Sequence, residues 1–91
     1  MAIAKYICDH INDNLEVSFT KEDISFNGFV SEIRHIKEIL LTQIWCNSKS
    51  GERVMLETVG TYNDEWNGVY RMKNRIESIF FVKIEVVSSL K

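Results

Sequence analysis

The sequence predicts a mainly β domain of about five short strands behind one N-terminal helix. Three observations carry that prediction. Residues 15–20 alternate apolar and polar side chains, which is the period-two signature of a half-buried strand. The run 29–46 is dense in Ile, Val, Thr and Trp, types that suit a pleated surface. N-S-K-S-G-E, residues 47–52, joins two runs of similar length, as a hairpin turn would.

Taken in order, Ile3, Ile7 and Ile11 recur every four residues within 2–13, and that spacing predicts a short helix. Leu15, Val17 and Phe19 then form the inner face of a strand, followed by a turn at Lys21, Glu22 and Asp23. Ile24, Phe26 and Val30 share one face of the next strand. Gly28 between them predicts a strongly curved strand, since glycine weakens a strand unless the chain must bend or another backbone must approach. Residues 29–46 admit two readings. Phe29, Ile33, Ile36, Leu40 and Ile44 also fall on one helical face, so the alternative is an α+β fold with a long helix at 29–46 on an antiparallel sheet. Residue type and the hairpin signal favour two strands, about 24–35 and 38–46, turning near Ile36 and Lys37. A strand at 53–60 leads to a loop, T-Y-N-D-E-W-N-G, at 61–68. It closes on Asn67-Gly68, a turn dipeptide. A short strand at 69–72 and a last one at 79–87 follow, the latter with Phe80, Val82, Ile84 and Val86 on one apolar face.

The chain has 91 residues, enough for one domain. Hydrophobic residues are 45% and charged residues 26%, a balance that suits a globular core and not a disordered chain. A net charge of −2 argues against broad attraction to nucleic acid or anionic membrane. The charge is uneven: residues 1–46 hold four Lys/Arg and seven Asp/Glu, residues 47–91 seven and six. Cys8 and Cys46 are too few for a disulfide scaffold. They suggest small buried hydrophobes in a reducing compartment, and a single bridge between them stays open. No signal-peptide pattern and no run of about 20 apolar residues is visible. A cytoplasmic location without membrane contact is expected.

Catalytic and cofactor patterns are missing. Cys8 and His10, two apart on a helix, diverge too far to share a tetrahedral ion with His35 and Cys46. No cysteine or serine has a recognisable base beside it. Gly28, Gly51, Gly60 and Gly68 are isolated and make no phosphate-binding loop. The expectation is a protein without enzyme activity, metal or cofactor, working by binding.

Two stretches are candidate contact sites. In 61–70, Tyr62, Trp66 and Tyr70 recur every four residues around Asp64 and Glu65. A large aromatic in a polar turn either caps a barrel end or anchors a protein partner. In V-Y-R-M-K-N-R-I-E-S-I, residues 69–79, Arg71, Lys73 and Arg75 alternate through a strand and a turn. They either guard a sheet edge or contact phosphate or an acidic partner.

The order of elements resembles the Sm-like or SH3-like small β-barrel. G-F-V-S-E-I-R-H-I, residues 28–36, is similar to the second strand of Sm-like proteins and to the YolD-like family. V-Y-R-M-K-N-R-I-E-S-I is similar to the closing strand of WYL domains and of the bacterial Rho-inhibitor family. That resemblance implies a turn at Lys73 and Asn74, with the cations on one outward face and in the turn. It implies a small regulator or inhibitor that docks onto a larger protein. The alternative is an Sm-type module for RNA or single-stranded DNA, with Arg71, Lys73 and Arg75 on phosphates. Homo-oligomerisation stays open. The Ile-, Asn- and Lys-rich composition suggests an AT-rich genome, such as that of a phage or low-GC bacterium.

Overall fold

The computed structural model describes residues 3–10, 14–60 and 65–89. The chain is mainly β, an antiparallel seven-stranded sheet curled into a half-barrel. The helix α1 (Ile3–Asp9) is followed by β1 (Leu15–Lys21), β2 (Ile24–Ile36), a single 3₁₀ turn (Lys37–Ile39), β3 (Leu41–Asn47), β4 (Arg53–Val59), β5 (Glu65–Met72), β6 (Arg75–Lys83) and β7 (Glu85–Ser89). The expected count of about five is short by two. The expected helix at 2–13 is seven residues long, and residues 11–13 lie outside the described part. So short a helix is unstable alone. Burial of Ile7, which has no exposed surface, contributes about 1.5–3 kcal/mol toward holding it.

The two readings of 29–46 are resolved in favour of strands. β2 and β3 pair from Phe29↔Asn47 to Ile36↔Leu41, and the long helix at 29–46 does not form. A helical stripe and a strand pair both place Ile33 and Ile44 together. The hairpin to β4, closed by Gly51 at φ 90 and by the Ser48 N–H donating to Glu52 O, leaves only the strand geometry for β3. β1 and β2 meet through a two-residue turn with Glu22 at φ 55. Lys73 and Asn74 form the β5–β6 turn between Met72 and Arg75, as expected.

The sheet order is β6-β5-β4-β3-β2-β1-β7. Only Ile84 separates β6 from β7 in sequence, yet they lie at opposite ends of that order. The sheet curls until β6 contacts β1. At Ile84 the chain leaves β5 and joins β1, which explains one predicted strand becoming two. β7 pairs with β1 only between Leu15 and Ser18. Below that point β1 and β6 face each other across an open seam. The Arg75 guanidinium, on β6, reaches Asp23 in the β1–β2 turn at 2.9 Å and bridges it.

Alternation now defines two faces. The inner face supplies the core: Ile7, Leu15, Val17, Phe19, Phe26, Ile44, Leu56, Trp66, Tyr70, Ile79 and Val82 are all buried. The outer face carries Trp45, Met55 and Val69, half-buried, with Arg53 and Arg71 exposed beside them.

Glycine marks two close approaches. At Gly28 an added Cβ would lie 2.6 Å from Asn47 O, so the glycine admits a close backbone approach. Asn67-Gly68 is not a turn. Both residues are inside β5, where a Cβ on Gly68 would run into the Met55 carbonyl of β4. The glycine serves sheet packing, not chain reversal.

Candidate functional site

The predicted aromatic loop is only partly a loop. β5 begins at Glu65, so Glu65, Trp66 and Asn67 are strand residues. Tyr62 and Asp64 lie outside the described residues. Glu65 is exposed and sits opposite Lys83. Trp66 is 0% exposed and belongs to the core. That corrects its placement in a polar turn: it packs inward because β5 extends four residues further toward the N-terminus than predicted. Its indole Nε1 has no hydrogen-bond partner among the described residues. Tyr70 is also buried. Its hydroxyl donates to Glu52 Oε2 at 2.6 Å, and that bond, followed by desolvation, raises the phenol's pKa. In this conformation neither Trp66 nor Tyr70 presents a ring to a partner.

The three cations do not share one face. Arg75 pairs with Met72 and Arg71 with Ile76 across the β5–β6 ladder, which puts Arg71 outward and Arg75 on the opposite side, at the seam. Arg75 Nε donates to Glu77 Oε2 at 2.7 Å while Nη2 holds Asp23. The hydrogen bond from Arg75 lowers the Asp23 pKa below the usual carboxylate range. Arg75 is thus neutralised within the fold. Lys73 is exposed in the turn. The expectation of one outward face and a turn for Arg71, Lys73 and Arg75 is corrected: Arg71 and Arg75 lie on opposite faces, because the two-residue turn pairs Met72 with Arg75 and so swaps odd and even positions across the hairpin.

Arg71 has a different neighbour, Arg53, directly opposite it on β4. Opposed strand residues have Cβ atoms about 4.5–5.5 Å apart, and like charges there repel. No ion pair joins either guanidinium to a carboxylate among the described residues. The two arginines stand at one end of a groove of ≈ 620 Å³ on the outer face, with Trp45, Met55 and Val69 along it and Glu32 at its far wall. The far wall is shaped by a bulge in β2 between Val30 and Glu32. There Ser31 Oγ donates to Trp45 O at 3.0 Å and accepts from Asn47 Nδ2 at 3.0 Å. Arg34 lies 5.8 Å from the Trp45 ring centroid, within cation–π range.

A second feature lies along the free edge of β6. The β5–β6 register slips between Trp66↔Val82 and Gly68↔Ile79, so Phe80 and Phe81 together oppose Asn67. Phe81 is at φ 57, an outlier for a bulky side chain. The Phe81 N–H donates to Asn67 Oδ1 at 2.9 Å, which holds the bulge. Strand parity therefore changes by one. Phe80, expected on the apolar inner face with Val82, Ile84 and Val86, is 55% exposed, Phe81 66% and Ile76 70%. The seam cavity beside them, ≈ 180 Å³, is lined by Lys21, Glu22, Ile24 and residues of β6.

Sequence reasoning passed over Arg53, Trp45, Met55, Phe80 and Phe81. Period-two alternation signals Trp45 between inward Ile44 and Cys46, and Arg53 before inward Val54. Nothing local signals that Arg53 and Arg71 meet, or that β6 bulges. Among the described residues, no three His, Cys, Asp or Glu side chains converge, and no helix is long and apolar enough to cross a membrane. Burial pushes the Cys46 thiol up to about 12, leaving it an inert core group at neutral pH. No family model, no curated protein and no solved structure matches this chain.

Proposed function

We propose that the protein is a non-enzymatic module that docks onto a larger protein through the outer edge of β6. The observation that supports this is the Phe80–Phe81 bulge. Backbone at positive φ costs about 1–3 kcal/mol for a non-glycine residue and persists only when its surroundings enforce it. Here Asn67 enforces it, and the result is two adjacent phenylalanines turned to solvent, on the same strand as Ile76, which alternation already places outward. Bulges commonly re-aim side chains in this way, and they also disfavour plain edge-to-edge pairing. Aromatic side chains are enriched at protein interfaces. Docking by side chains on a bulged edge fits both facts.

The test is the double variant Phe80→Ser, Phe81→Asn. Asparagine tolerates the left-handed region, so the variant folds with its melting temperature kept or raised. Affinity capture with wild type and variant in parallel identifies the partner, and the affinity for the purified partner falls by about tenfold or more. Equal capture by both proteins refutes the proposal. So does a concentration-dependent dimer of the wild type that the variant loses, since the ridge is then a contact between copies.

A further inference from the structure

We infer that the outer-face groove is a second binding site, taking a short acidic segment of a protein chain: apolar side chains on Trp45, Met55 and Val69, carboxylates on Arg53 and Arg71. This inference does not rest on the β6 ridge: Phe80 and Phe81 do not line the groove, although Ile76 of β6 stands opposite Arg71.

The arginine pair is its basis. Two guanidiniums opposite each other on neighbouring strands repel. Elsewhere the same fold surrounds Arg75 with two carboxylates, while Arg53 and Arg71 have none among the described residues. Neither supports the core, as both are exposed. A bound anion would relieve the repulsion, and guanidinium forks match carboxylates two hydrogen bonds at a time. The groove behind them, ≈ 620 Å³, is within the size range of ligand sites, about 300–1,000 Å³. Its mixture of half-buried apolar floor and charged end calls for a ligand with both characters.

Charge placement favours protein over nucleic acid. A strand of nucleic acid needs cations spaced along its path. Among the residues lining this groove the cations are at one end only, and Glu32 stands at the other wall, two strands from Arg53 and three from Arg71, or roughly 10–14 Å; Arg34, near the Trp45 ring, lies outside the lining. Beyond the Trp45–Met55 row, on the side away from the arginines, Gln43 donates to Glu57 at 3.2 Å, which keeps a second negative group on the outer face. A polyanion crossing the face meets both carboxylates. A short segment with its acidic residues at one end avoids them.

The probe is a capped peptide of two leucines followed by two glutamates, with a glutamine version as control, titrated at low salt. Intrinsic fluorescence reads the result, because Trp45 lines the groove and the other tryptophan, Trp66, is buried. The expected outcome is saturable binding that the Trp45→Phe variant reports as silent. Affinity drops about tenfold or more for the glutamine peptide and for the Arg53→Gln, Arg71→Gln variant. That variant must show the wild-type circular dichroism spectrum, which its surface positions lead us to expect. The Phe80→Ser, Phe81→Asn variant binds the peptide as wild type does, separating this site from the docking ridge. The inference is overturned if wild type shows no saturable binding, if the arginine variant binds equally well, or if oligothymidylate binds more tightly than the peptide.

Discussion

Replacing Trp66 by alanine tests the placement of β5 most directly. Trp66 has no exposed surface, and a buried aromatic removes about 150–250 Å² from water. At about 25 cal/mol per Å² that burial is worth roughly 4–6 kcal/mol, and large-to-small aromatic changes in cores cost about 3–5 kcal/mol when measured. A domain of this length has a total stability of roughly 5–14 kcal/mol. Trp66→Ala therefore leaves a marginal protein, with a melting temperature lower by about 12 °C or more. Trp66→Phe separates two contributions. It gives up part of the burial but also removes an indole N–H that has no acceptor among the described residues, whose desolvation costs about 1–3 kcal/mol. Its loss should be well under half that of the alanine variant. Thermal and urea unfolding followed by far-UV circular dichroism measure both. If Trp66→Ala melts within a few degrees of wild type, Trp66 is a surface residue of a loop and the extended β5 is wrong.

Other expectations follow from the same geometry. Gly68→Ala should lose about 2 kcal/mol or more, since its methyl group meets the rigid Met55 carbonyl rather than a side chain that can move; unchanged stability would mean that β4 and β5 are further apart. Thiol titration with a disulfide reagent at neutral pH should leave Cys46 unmodified until unfolding, because burial raises its pKa to about 12. Cys8 should react, though slowly, as burial and then Asp9 raise its pKa too. The Asp23–Arg75 bridge should weaken in acid. The folded Asp23 pKa is lowered, so its contribution is complete above the ordinary aspartate value of about 3.9 and is lost as pH falls through the lower folded value. Asp23→Asn should flatten that part of the stability–pH curve, and an identical curve would exclude the bridge. Arg53→Gln alone should raise stability by a few tenths of a kcal/mol, about the size of a cross-strand like-charge term, even as it weakens peptide binding; a loss of stability would show that Arg53 has a structural partner.

What the sequence determined by itself was local. Leu15, Val17 and Phe19 alternate with polar residues, and they are the buried face of β1. The β2–β3 break near Ile36 and the Gly51 turn follow from patterns within a few residues, while the Lys73-Asn74 turn came from the resemblance to small barrels. Tertiary structure decided whatever depends on a strand far away in sequence. Asn67-Gly68 has turn chemistry, yet close contact with Met55 makes Gly68 a strand residue and carries Trp66 into the core. Ile84 splits one apolar run into β6 and β7 because the curled sheet offers two different neighbours, β5 and β1. The bulge opposite Asn67 shifts parity by one residue and turns Phe80 outward. Arg53 stands beside Arg71 through the β4–β5 register alone. Side-chain alternation is a property of one strand, whereas register and bulges belong to pairs of strands, and only the folded sheet sets them.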